Sequence, residues 1–203
     1  MSPTERANLL AVKLLLRQQI RSVRTDPFHL DCSGTILVDS IQHYAHCVGA
    51  QPEDFLAQNS RDCVVLQMPR LHLILYNRDI LSSSRKRWSV AHEIGHICCR
   101  HDCDGPAQEM QANAFASSLL IPSVVAREFL QKGYLRRAED LCALFGVSMQ
   151  AAQYKFPLLL DYQPSQLEQE LLLRYRPAIE EQLHGPIIDL PYHRSFEHSP
   201  LLL

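Results

Sequence analysis

The chain has almost no net charge, no long apolar run and no internal repeat, and each lack removes a class of function. Its 203 residues carry 20 Lys and Arg against 22 Asp and Glu, for a formal charge of -2 and a pI near 6.5. A chain so balanced has no global field to draw it to nucleic acid or to an anionic membrane, so any contact with DNA needs a local basic patch. The longest apolar runs, such as Leu71 to Tyr76 and Leu158 to Leu160, fall far short of the ~20 residues that span a bilayer. Glu5, Arg6 and Lys13 interrupt the apolar pattern at the N-terminus, which argues against a signal peptide. Without an even set of cysteines the sequence also lacks a disulfide framework. Cys32, Cys47, Cys63, Cys98, Cys99, Cys103 and Cys142 are odd in number and lie in apolar segments of a chain large enough to fold without staples. The expectation is a soluble cytoplasmic protein with reduced thiols and no membrane partner.

With 46% hydrophobic residues the chain can bury a core of its own, as one domain or one with a small appendage. Ala7, Leu10, Ala11, Leu14 and Leu15 recur at helical spacing and predict a first helix over about Pro3 to Arg21. Ile36 to Gly49 reads as a second helix. Cys63 to Met68 and Leu71 to Tyr76 read as antiparallel strands joined at Pro69-Arg70. Helices follow over about Arg85 to Arg100, ending near the breaker Asp104-Gly105-Pro106, and over Ala107 to Leu120, ending before Pro122. Ala138 to Phe145, a Gly146-Val147-Ser148 turn and Met149 to Leu160 form a helix-turn-helix-like pair, and Pro164 to Leu183 a closing helix. The proline-bearing tail from Gly185 reads as extended.

The chemistry is concentrated in His92-Glu93-Ile94-Gly95-His96. Residues four apart on a helix lie one above the other, so both imidazoles can reach one metal ion while Glu93, turned by about 100°, is left to act on water. This is the skeleton of a zinc hydrolase. A catalytic zinc takes three protein ligands, so a further donor must come from downstream, and Glu109 is the best candidate. It opens the next helix just past the breaker, and the small Ala112, Ala114 and Ala116 would let that helix fold back closely. An oxyanion donor is not fixed by the pattern; Tyr76, His72 and His101 are candidates.

The run Arg85-Lys-Arg-Trp-Ser-Val-Ala-His-Glu-Ile-Gly-His, then Glu109-x-x-Ala112-Asn113-x-Phe115-Ala116 and Leu119-Leu120-Ile121-Pro122, resembles the ImmA/IrrE metallopeptidases. The match is specific over about Leu71 to Pro122, and Phe145-Gly-Val-Ser is similar to a turn of the same family. The resemblance implies an α+β, zincin-like fold, mostly helical with a small antiparallel sheet. It divides the chain into a metallopeptidase domain over 1–135, a helical helix-turn-helix-like part over 136–183 and an extended tail over 184–203. It implies Zn²⁺ as cofactor, with His92, His96 and Glu109 as ligands and Glu93 as catalytic base. The family often has Glu immediately before Ala-Asn where this chain has Gln111, which leaves Glu109 as the acidic residue for the ligand role.

Members of that family with an assigned role cleave a helix-turn-helix repressor encoded beside them after DNA damage or phage attack, some in antiphage CBASS-type operons. A zinc endopeptidase acting on such a partner is what the resemblance implies here. Single-stranded DNA would be an activator, met by Arg85, Lys86 and Arg87 with Trp88, or by Arg136 and Arg137. Cys103, in the turn after the motif helix, is a candidate inhibitory fourth zinc ligand. The alternative reading is a non-catalytic DNA-binding regulator using Ala138 to Leu160. Met149-Gln-Ala-Ala-Gln-Tyr-Lys offers few base-reading side chains, so packing or partner docking is the better role for that pair.

Overall fold

The computed structural model describes residues 1–56, 62–103 and 105–184. The expected tail from 185 onward and Asp104 of the expected breaker lie outside these residues. Helix α1 (Pro3–Leu15) opens with a capping box in which Ser2 and Glu5 satisfy each other's backbone N–H groups, with Pro3 in its first turn. It ends about six residues before the predicted Arg21. The Gln18 side chain takes over, donating to the carbonyls of Leu14 and Asp31 and accepting from the Asp31 N–H, so the chain is tied into a loop.

The predicted helix over Ile36 to Gly49 divides into strand β1 (Ile36–Ser40) and helix α2 (Ile41–Val48). Two causes act together. The β-branched Ile36 and Val38 suit a strand, and a neighbouring strand offers its edge. The Ser40 hydroxyl accepts from the His43 N–H, which starts the helix only at Ile41, and Gly49 closes it in a left-handed conformation. A short helix α3 (Glu53–Leu56) follows.

Strands β2 (Cys63–Met68) and β3 (Leu71–Tyr76) pair antiparallel, as their alternation predicts, with Cys63 opposite Tyr76 and Met68 opposite Leu71. Because β1 adds to β3 in parallel, the order is β1-β3-β2 and the sheet is mixed rather than wholly antiparallel. Central β3 is buried on both faces. Ile74 joins the main core, whereas Leu73 and Leu75 face a smaller cluster with Ile41, Tyr44 and Phe55.

On the main-core side lie helix α4 (Ser83–Cys99) and helix α5 (Pro106–Leu120). Val90, Ala91 and Ile94 of α4 are buried, and the second half of α5, from Phe115 to Leu120, is buried all round between α1 and α4. Helix α6 (Ser123–Gln131) has no counterpart in the sequence reading. Helices α7 (Ala138–Phe145) and α8 (Met149–Leu158) are joined by the left-handed Gly146, and α9 (Gln166–His184) packs back on α6 and α1. The main core runs without a break from Ala7 through Phe115 to Leu141, Phe145 and Ile179. The α+β, zincin-like expectation therefore stands, as a mostly helical body with a three-stranded sheet. Among the described residues no helix is long and apolar enough to cross a membrane.

Candidate metal centre

Helix α4 presents His92 and His96 one turn apart, with Nε2 atoms 3.0 Å from each other. Its C-terminus stops at Arg100 in a left-handed conformation, and after the turn α5 runs back across it. The close approach is made at Gly95. A Cβ there would lie 3.1 Å from the Ala112 carbonyl and from the Phe115 Cβ, so glycine on one helix and alanine on the other set the distance between them. Ala112 and Ala116 are fully buried at this contact, and Ala114 is half-buried.

That approach carries Glu109 to the histidines. Its Oε2 lies 3.3 Å from His92 Nε2 and its Oε1 3.3 Å from His96 Nε2. The three residues offer ligand atoms that all lie within 4.8 Å of one another. A tetrahedral zinc with N and O ligands at about 2.0–2.2 Å has donor atoms about 3.3–3.5 Å apart. The spacing fits a single ion, and two imidazoles with one carboxylate are the donor set of a catalytic zinc with an open position.

The far sides of both rings are also held. The Asn113 Oδ1 lies 3.0 Å from His92 Nδ1 and can accept its proton only if His92 Nε2 keeps its lone pair for a metal. Nδ1 of His101 stands 3.1 Å from His96 Nδ1. For His96 to offer Nε2 to a metal, its Nδ1–H must donate and His101 must accept. His101 is thus behind a candidate ligand and not in front of the metal, which removes it as an oxyanion donor. Its own Nε2 is buried with no hydrogen-bond partner among the described residues. Tyr76 stacks on Phe28 with ring centroids 4.8 Å apart, and His72 sits on β3 in register with Ile36 and Gln67. Neither lines the groove described below.

Glu93, half-buried, looks toward β2. Its carboxylate and that of Asp62 add to burial in pushing the Cys63 thiol far above the usual range. Burial likewise pushes Cys98 up to about 12 and Cys32 up to about 11, so these thiols stay protonated at neutral pH. Cys103 is exposed in the turn and is not brought into the group of His92, His96 and Glu109.

The basic run does not form one surface. Arg85 makes a bidentate pair with Asp62 at 2.6 and 2.9 Å, and Asp62 also accepts from the Ser89 hydroxyl. Lys86 donates to the Arg78 carbonyl. Arg87 is turned inward, donating to the carbonyls of Phe145, Gly146 and Thr25 at 2.8, 2.5 and 2.7 Å. Arg24 donates to the Ala143 and Leu144 carbonyls at the same helix end. Two arginines thus clamp the C-terminus of α7 to the body of the protein. Arg136 and Arg137 are drawn to Asp140 and Glu139 through backbone and side-chain contacts.

A groove of about 1190 Å³ runs past the candidate metal centre, with Trp88, Ser89, Glu109 and Asn113 on one side and Tyr154 and Lys155 of α8 on the other. Asn113 and Lys155 are the site residues that sequence reasoning missed. Asn113 had a signal, since it lies four residues after Glu109 and so on the same helix face. Residues 52–156, just over half of the chain, match the model of the Peptidase_M78 family, described as the IrrE N-terminal-like domain. No curated protein and no solved structure matches the chain.

Proposed function

The chain belongs to the IrrE N-terminal-like peptidase family, and from that premise we propose that it is a zinc-dependent endopeptidase that cuts one accessible bond in a regulatory protein. The observation that carries this reading is the convergence of His92, His96 and Glu109 on one point beside Glu93. In it, His92, His96 and Glu109 hold the ion, while Asn113 and His101 keep the two imidazoles in the tautomer that ligation requires. The chemistry such an ion supplies is acidification of water to a pKa of ~7 and polarisation of the scissile carbonyl. Glu93 takes the proton of the attacking water and delivers it to the leaving amine.

The substrate is a folded partner, a helix-turn-helix repressor encoded nearby, and its cleavage in the cytoplasm releases a response to DNA damage or phage. Support comes from the groove, whose exposed Met110, Tyr154 and Leu158 give a peptide segment apolar surface to lie on. Single-stranded DNA as an activator has the exposed Arg85 and the half-buried Lys86 to meet it. The test is to incubate the zinc-loaded chain with the product of its neighbouring repressor-like gene, with and without single-stranded DNA. One discrete cut is expected. Glu93→Gln should retain zinc by elemental analysis yet cleave 10²–10⁴-fold more slowly. Undiminished cleavage by that variant would end the reading.

A further inference from the structure

Lys155 stands where a cation is least expected. On α8 it shares a buried stripe with Ala152, and its residue is only 6% exposed. Among the described residues its ammonium makes no hydrogen bond and no ion pair. The opposite charge that acts on it is Glu168, which makes no ion pair with it and whose Oε2 accepts from the backbone N–H and hydroxyl of Ser165, at 2.9 and 2.6 Å, where the two residues open α9. What remains of the Lys155 surface lines the same groove as Glu109 and Asn113.

A buried cation is costly unless paired, and this one is held at the wall of a groove with only the unpaired attraction of Glu168 to offset that cost. We propose that Lys155 is a specificity-determining subsite that binds a carboxylate of the peptide lying in the groove, the side chain of Asp or Glu or a C-terminal carboxylate. The inference rests on the peptidase reading for the peptide's presence. Within it, selection falls on segments that carry an acid at a fixed number of residues from the scissile bond. Burial outweighs the attraction of Glu168 and brings the ammonium down to about 8, and a carboxylate placed directly against it would restore full protonation. The charge-assisted bond so formed, in a site screened from water, is the strong kind. Lys155 acts on binding and does not touch the reacting atoms.

The probe is a proteome-derived peptide library, offered as such and with its carboxylates converted to neutral methyl amides. Immobilised, zinc-loaded full-length Glu93→Gln captures peptides without cutting them, and mass spectrometry counts what is retained. Acidic peptides should be enriched about tenfold over their neutralised counterparts. That enrichment should vanish with Glu93→Gln/Lys155→Met and survive with Glu93→Gln/Lys155→Arg. Equal enrichment with the Met variant, or no retention of acidic peptides by any form, overturns the inference. The wild-type chain is given the same library in parallel. Cleavage whose acidic preference ignores Lys155 sinks the subsite alone. Lys155-dependent capture without any cleavage sinks the peptidase reading and leaves the carboxylate site.

Discussion

At the scale of single residues, the fold bears a cost at Lys155 that a site can explain and packing cannot. Its ammonium is pushed from the ordinary 10.5 down to about 8, chiefly by burial, so the folded protein binds that proton less tightly than the unfolded chain does. The sign follows: the destabilisation is full below pH 8 and fades between about 8 and 10.5, as the unfolded chain loses the proton too. Lys155→Met should therefore be more stable than wild type at pH 7, by about 3 kcal/mol, and the advantage should shrink by pH 10. Urea unfolding of both proteins at the two pH values checks this, and equal midpoints at pH 7 would refute it. Sequence periodicity placed His92, Glu93 and His96 correctly on one helix because helix geometry alone fixes their relation. It could not show that Lys155 faces inward. That depends on what packs against α8, and a lysine in a helix reads as surface until the neighbours are known.

At the scale of elements, the candidate metal centre depends on how closely α4 and α5 approach, and the contact at Gly95 sets this. Gly95→Val puts branched carbons where a single Cβ already meets the Ala112 carbonyl at 3.1 Å. The backbone of α5 cannot yield as a flexible side chain would. The variant should lose roughly 1–3 kcal/mol, and because Glu109 rides on the displaced helix, its zinc affinity should fall as well. Thermal unfolding and competition with a chromophoric chelator measure the two effects, and a stable variant with wild-type affinity would count against this account. Arg87 ties two further elements together. Arg87→Ala strands the carbonyls of Phe145, Gly146 and Thr25 and should cost about 3 kcal/mol, whereas Lys86→Ala should change stability by less than about 0.5 kcal/mol. Chemical denaturation of the two variants distinguishes a structural tie from a solvated basic run. The sequence could not make that distinction, since three adjacent cations look alike until the carbonyls around each are known. For the same reason β1 read as part of a helix. Ile36 to Ser40 becomes a strand because the edge of β3, over thirty residues away, is there to pair with.

At the scale of the whole molecule, the strands at Cys63 and Leu71 and the helices of the motif were legible because each carries its own periodicity. The mixed sheet and the shared core were not, since both arise from contacts distant in sequence. The site inherits this division. Two candidate ligands sit within one turn of α4, but Glu109 reaches them only after α5 has folded back across it. An ion bound by all three therefore pins two helices that are otherwise held by packing and the His92–Asn113 hydrogen bond, and it binds the unfolded chain far less well because the donors are then scattered. Zinc in thousandfold excess over its dissociation constant should add about 4 kcal/mol to the folded state. For a chain of this size that raises Tm by roughly 10 °C. Calorimetry with and without a chelator measures the shift, and Glu93→Gln should keep it. Glu109→Ala should lose most of it, because the remaining pair of histidines belongs to α4 and ties it to nothing. Should wild-type protein melt at the same temperature in zinc and in chelator, the three side chains would not be holding an ion between these helices.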